Sequence, residues 1–199
     1  MMIEHCLPAY DVLAAEFGDQ VAMDLGPDQV EAFEHISALR HGLVLLTGGP
    51  GTGKSFLTRK LLLHFTQQGR RALISAATGA AAVRLSLHAC TVHRNFCLPV
   101  GSRPMRGLNA THPVRAVLKE AQVIFIDEMS MMSKDNFDSV ILRLQQVHNL
   151  ASPDEVFEKL LIVLVGDDAQ VGPRRAGFHS LGWAASTCFL LLVTLSTTP

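Results

Sequence analysis

The sequence predicts an α/β fold in which a parallel sheet carries helices on both faces. Three observations support this. Short apolar runs alternate with longer helical patterns along the 199 residues, an order that makes neighbouring strands parallel. The first of those runs delivers a glycine-rich loop into a helix, and the third ends in two adjacent carboxylates. Both motifs therefore fall at the carboxyl ends of strands, where open α/β sheets hold their ligands.

Five runs read as strands: Gly42–Thr47, Arg71–Ala76, Val123–Asp127, Leu161–Gly166 and Phe189–Leu195. Between them, Asp28–Leu39, Lys54–Gln68, Gly79–Leu87 and Lys134–Val147 repeat apolar residues at helical spacing. Residues 98–115, punctuated by Pro99, Gly101, Pro104, Gly107 and Pro113, read as an irregular insert without a core of its own. With 48% apolar residues the chain has enough side chain to fill one substantial core. The expected organisation is an N-terminal extension, 1–24, followed by one lobe, 25–199.

The glycine-rich loop, Thr47-Gly-Gly-Pro-Gly-Thr-Gly-Lys-Ser55, satisfies G-x-x-x-x-G-K-[ST] from Gly48 to Ser55. Its position between a strand and a helix is the context the motif needs. Gly48, Gly51 and Gly53 allow backbone N–H groups to turn inward around an anion, with Gly49, Pro50 and Thr52 completing the cradle. Lys54 is placed to reach the β- and γ-phosphates, and Ser55 to offer its hydroxyl to Mg²⁺. These residues put the chain in the P-loop NTPase class and predict binding of a nucleoside triphosphate.

Asp127-Glu128 closes the strand Val123–Asp127. An aspartate there holds Mg²⁺ in P-loop enzymes, and the glutamate beside it can polarise an attacking water as general base. A nucleotide kinase needs no second carboxylate at this place, so the pair points to hydrolysis.

Charge is segregated along the chain. From His35 through Lys119 there is no Asp or Glu, while twelve of the seventeen Lys and Arg fall in that block. The block suits a polyanion track, or else basic residues scattered around one lobe. The cysteines, Cys6, Cys90, Cys97 and Cys188, lack paired spacing, which fits a reducing compartment. His88, Cys90, His93 and Cys97 are dense in ligand types but match no established zinc spacing. Acidic residues and no Lys or Arg precede Arg40, the opposite of a mitochondrial presequence and unlike a secretory signal. The run Cys188–Val193 is too short to span a bilayer and reads as a buried strand. The expectation is an intracellular protein off the membrane, with the nucleus left open.

The motif order resembles the PIF-one family of superfamily-one DNA helicases, from near Leu25 almost to Pro199. Leu25-Gly-Pro-Asp-Gln29 is similar to that family's adenine-reading motif, which would make Gln29 the residue that selects ATP; an ordinary first-turn glutamine is the other reading. Ala76-Ala-Thr-Gly-Ala-Ala-Ala-Val-Arg84 resembles a stretch that approaches a DNA backbone, implying a phosphate contact for Thr78. Thr91-Val-His-Arg-Asn-Phe96 resembles the next family stretch and implies His93 and Phe96 near single-stranded DNA, although a buried Phe96 fits its residue type almost equally. Ile126-Asp-Glu-Met-Ser-Met-Met-Ser133 is the most specific likeness. Val165-Gly-Asp-Asp-Ala-Gln170 implies that Gln170 senses the γ-phosphate.

The resemblance implies a RecA-like first motor lobe that hydrolyses ATP with Mg²⁺ on single-stranded DNA. Lys54, Asp127, Glu128 and Gln170 would carry the catalytic roles, and Ser55 and Asp127 the metal. Such helicases close ATP between two lobes, so a second lobe supplying arginines is an expected partner, and this chain is not expected to unwind DNA alone. Val171-Gly-Pro173 departs from the family's Leu-Pro-Pro. Competing readings are a nucleotide-binding module without turnover and a P-loop ATPase indifferent to nucleic acid.

Overall fold

The computed structural model describes residues 7–99, 104–167 and 190–196. Among them, six strands form one sheet: β1 (Gly42–Gly48), β2 (Ala72–Ala76), β3 (Cys90–Thr91), β4 (Val123–Asp127), β5 (Leu161–Val165) and β6 (Leu190–Leu195). Their order is β3-β2-β4-β5-β1-β6, and every pairing is parallel. The five expected strands are all present, with described ends displaced by one residue at most; Phe189 lies outside the described residues. β3 is new. With two residues it is too short to show a period, and only its pairing with Ser75 and Ala76 makes it a strand.

The helices are α1 (Tyr10–Phe17), α2 (Pro27–Ser37), α3 (Lys54–Gln67), α4 (Gly79–Leu85), α5 (Val92–Asn95), α6 (Pro113–Glu120), α7 (Lys134–His148) and α8 (Asp154–Lys159). Strand side chains alternate between two cores, as the pleat requires. Val123 and Phe125 of β4, with Leu161 and Val163 of β5, pack against α1, α2 and α3 through Leu13, Phe17, Ile36, Leu61 and Phe65. Ile124 and Ile126, with Ile162 and Leu164, pack against α5 to α8 through Phe96, Leu118, Phe137, Val140 and Phe157. Covered on both faces, β2 and β5 are buried along their whole length, which explains their unbroken apolar runs.

Two expectations change. The stretch before Leu25 contributes α1 to the core, with Leu13 and Phe17 fully enclosed. The insert 98–115 ends in a helix, because Pro113 opens α6 at the position where a missing N–H costs nothing. Nor does it stand apart: Leu98 is buried, and Met105 and Leu108 pack on the α5–α8 core. The insert is fixed by Arg143 of α7, which is 1% exposed and donates to the carbonyls of Phe96 (2.9 Å), Cys97 (3.2 Å) and Arg106 (2.9 Å). Burial lowers its pKa, against the opposing effect of Cys97. No described helix is long and apolar enough to cross a membrane.

Candidate nucleotide site and its neighbourhood

β1 ends at Gly48, where a Cβ would lie 2.8 Å from both the Leu195 carbonyl and the Thr52 hydroxyl, so only glycine lets β6 pass this close. The loop then curls back on itself: the Thr52 hydroxyl donates to the Gly49 carbonyl at 3.0 Å. Gly53 caps α3 in the left-handed region (φ 82°), aiming the first N–H groups of the helix into the bowl. Inside that bowl the Lys54 ammonium donates to the carbonyls of Gly48 (2.7 Å) and Gly49 (2.9 Å). A phosphate oxygen is the stronger acceptor and would exchange for them. Ser55 is exposed at the first turn of α3.

Gln29 sits in the wall beside this loop. Its amide N–H donates to the Thr52 carbonyl at 2.9 Å, and its amide oxygen accepts from the Gly26 N–H at 3.1 Å. The side chain therefore ties the start of α2 to the loop, and each end keeps one further hydrogen-bonding position. It borders a cavity of about 210 Å³ lined by Gly26, Pro27, Gly51, Thr52 and Leu195.

On the other side stands the carboxylate pair. β5 separates β1 from β4, which sets the two motifs about 10 Å apart, two strand spacings. Asp127 is half-buried at the end of β4, and its Oδ1 accepts from the Glu128 N–H at 2.9 Å. Burial raises the Asp127 pKa; the Glu128 N–H opposes this, the Glu128 charge adds to it, and Arg84 and Lys54 lower it. Glu128 itself takes a left-handed backbone (φ 55°), a conformation that costs a non-glycine residue about 1–2 kcal/mol. The kink turns its side chain toward α4, where Oε1 meets Arg84 Nη2 at 3.0 Å. Ser55 and Asp127 offer hard oxygen donors of the kind a magnesium-sized cation accepts, next to the ammonium of Lys54. β5 emerges between the two motifs with Asp167 nearly buried. Gln170 lies outside the described residues.

The residues expected near DNA sit toward the β3 edge of the same end of the sheet, about three to four strand spacings (roughly 14–19 Å) from β1. Thr78 caps α4, its hydroxyl accepting from the Ala81 N–H at 3.2 Å. His93 is half-buried on α5. Phe96 requires a correction. Its ring is fully buried in the α5–α8 core and offers no face on which a base could stack. The short helix α5 is pinned from below by Asn95, which donates to Ile74 O and Ser75 Oγ, and this turns Phe96 inward.

The basic block does not form one track. Arg70 donates to the carbonyls of Leu39 and Arg40, and Arg71 pairs with Glu120, at the end of the sheet opposite to the loop. Lys54, Arg84 and Arg94 remain at the loop end. Among the described residues no cluster of three His, Cys, Asp or Glu could hold a metal, His88 and its neighbours included. Arg84 and Glu16 escape sequence reasoning: a lone charge carries no spacing signal until its partner is known.

The model of the PIF1-like helicase family matches residues 24–178. This chain belongs to the PIF1-like helicases. It is 30% identical over 150 residues to the ATP-dependent DNA helicase PIF3 of Trypanosoma brucei brucei, covering 75% of this chain and 17% of that protein. It is 29% identical over 144 residues to the ATP-dependent DNA helicase Pif1 of Campylobacter jejuni, covering 68% and 30%. To the RecD2 helicase of Deinococcus radiodurans it is 34% identical over 164 residues, covering 80% and 20%. The PIF1-like chain thus matches less than a third of each relative's length. Among solved structures, Bacteroides Pif1 in complex with ADP-AlF3 and single-stranded DNA superposes with a TM-score of 0.67 at 21% identity over 89% of this chain and 43% of that one. That likeness establishes the RecA-like fold.

Proposed function

We propose that this chain is the ATP-hydrolysing lobe of a DNA helicase, acting on single-stranded DNA and working with a second motor lobe. One observation carries the reading: the phosphate loop of β1 and the Asp127-Glu128 corner of β4 flank a single strand at the same end of the sheet. Family membership supports it, as do relatives named as ATP-dependent DNA helicases.

In this reading the loop Gly48–Ser55 cradles the phosphates, Lys54 neutralises their charge, and the cavity beside Gln29 takes the adenine. Ser55 and Asp127 hold Mg²⁺, which supplies charge neutralisation on the phosphoryl oxygens when bound. Glu128 orients a water and takes its proton as the γ-phosphoryl group passes to that water, giving ADP and phosphate. Gln170 reports on the γ-phosphate. Thr78 and His93 contact the DNA. Residues 25–199, with α1 packed into their core, form the lobe, and strand separation needs the arginines of the second lobe, worth several orders of magnitude in turnover. A DNA substrate places its action inside the cell.

The test is ATP binding and hydrolysis by the purified chain, with and without a single-stranded oligonucleotide, beside Lys54→Ala. Nucleotide binding lost in Lys54→Ala, with turnover raised by DNA, is the expected result. Turnover indifferent to DNA would favour a P-loop ATPase unrelated to nucleic acid and overturn the proposal. Unwinding by this chain alone would overturn the need for a second lobe.

A further inference from the structure

We propose that Arg84 is a positioning residue shared between Glu128 and the nucleic-acid backbone, so that contact with DNA on α4 releases the carboxylate that orients water. This rests on the reading of the site given above. Topology creates the contact. β2 and β4 are neighbours in the sheet, so α4, which β2 leads into, stands beside Glu128 at the end of β4. The Ala77 N–H extends the ladder to the Asp127 carbonyl at 2.9 Å and fixes that approach. The left-handed backbone of Glu128 then directs its carboxylate to Arg84 Nη2 at 3.0 Å.

The oxygen engaged by Arg84 is one of the two acceptors through which Glu128 can orient the attacking water. While the guanidinium holds it, Glu128 has one fewer lone pair for the proton it must receive. Arg84 is free to change partners: its side chain is 72% exposed, and so open an ion pair is held weakly. Guanidinium groups grip phosphate as readily as carboxylate. Arg84 lies six residues beyond Thr78 on one helix, about 9 Å along the axis and about 120° around it, so its long side chain would meet a neighbouring part of the backbone rather than the phosphate at Thr78.

The exchange needs no backbone movement. Arg59 donates to the carbonyls of Arg84 and Leu85, and Glu16 of α1 accepts from the Ser86 hydroxyl and the Leu87 N–H. The end of α4 is therefore fastened on two sides while the Arg84 side chain alone is loose. The arrangement converts DNA binding into availability of the base through a single side chain.

A double-mutant cycle on binding of a fluorescent single-stranded oligonucleotide tests this without requiring turnover. Removing the competing charge with Glu128→Gln should tighten binding roughly three- to tenfold, and this gain should vanish in an Arg84→Ala background. Glu120→Gln, which frees Arg71 at the far end of the sheet, should change nothing; melting temperatures of all variants confirm folding. In hydrolysis assays Arg84→Ala should raise turnover without DNA and flatten the stimulation by DNA, with Arg84→Lys in between. A gain from Glu128→Gln that is equal in both backgrounds, or absent, overturns the coupling, as does an Arg84→Ala chain whose turnover falls by the same factor with and without DNA. If no variant binds the oligonucleotide while nucleotide binding still depends on Lys54, the nucleic-acid half of the functional reading fails along with it. Wild-type binding with an additive cycle removes only the role of Arg84.

Discussion

The phosphate loop and the α4–α5 sector lie at the same end of one sheet, yet they are built on different logics. In the loop, function rests on the backbone: turned glycines, helix N–H groups and one lysine folded over its own carbonyls. In the α4–α5 sector, side chains that look free in sequence are committed to the scaffold. Thr78 caps a helix, Asn95 ties α5 to β2, and Phe96 fills the core. A backbone device is specified wholly by a local string of residues, whereas a side chain's task depends on its neighbours in the fold.

The sharpest test of that contrast is in the loop. Lys54→Ala should lower nucleotide-dependent turnover on the order of 10²–10³-fold, while stability changes by less than about 1 kcal/mol because the two carbonyls it leaves can turn to water. A steady-state assay of phosphate release and a thermal melt read both. A large loss of stability would mean that the lysine is a structural tie, like its counterparts around α5.

Arg143 should behave in the opposite way. It is buried, with two carbonyl acceptors just after α5 and one in the insert, and it lies on α7, on the far side of the sheet from α3. Arg143→Ala strands those carbonyls and opens a cavity, for an expected loss of about 3–5 kcal/mol, measured by denaturant unfolding. Nucleotide affinity of the folded fraction should be unchanged. A mild effect would show that water replaces the guanidinium and that the sector is looser than its hydrogen bonds suggest.

Legibility followed the same division. The β1 loop, the Asp127-Glu128 corner and five strands were readable because each is a local pattern: a motif with fixed spacing, or an apolar run flanked by turns. β3 and α5, of two and four residues, are shorter than any period, and they decide the fate of Phe96. α1 was hidden because Leu13 and Phe17 look like two apolar residues in an acidic leader until α3 is there to receive them. Arg84 stood inside a recognised motif, but its partner lies 44 residues away and is reached only because β2 and β4 pair.

α1 offers the third test. Leu13→Ala removes a side chain with no exposed surface from the α1–α3 contact, and the expected loss is about 2–4 kcal/mol. Glu16, on the same helix, holds the end of α4, so loosening α1 should also weaken oligonucleotide binding. The loop should not notice. Loss of nucleotide affinity in Leu13→Ala would show that the two regions are coupled through α3.

Phe96→Leu separates burial from stacking with a smaller effect. A leucine keeps most of the volume in the core, so stability should fall by about 1–1.5 kcal/mol. Oligonucleotide affinity should stay within about twofold of wild type. A base stacked on that ring would instead give a loss of roughly 1–3 kcal/mol in binding, which would require α5 to rotate out of the core on contact with DNA.

The smallest effect is a pH dependence of the scaffold. His148, at the end of α7, bonds the Leu118 carbonyl at 3.1 Å. Burial lowers its pKa below the ordinary 6.5, with help from Lys159 and Lys119 and against the hydrogen bond to Leu118. A histidine depressed by folding binds fewer protons in the native state than in the unfolded one. Its contribution is therefore fully present above about 6.5 and lost as pH falls through the lowered native value. His64 of α3 is depressed in the same direction by burial and Arg70, so the two act together in one window. His148→Gln should flatten the fall in melting temperature between about pH 7 and 5 by about 2 °C, while leaving the ratio of nucleotide affinities at those pH values unchanged. A shift in that ratio would tie the far end of α7 to the loop and remove the independence of the two regions.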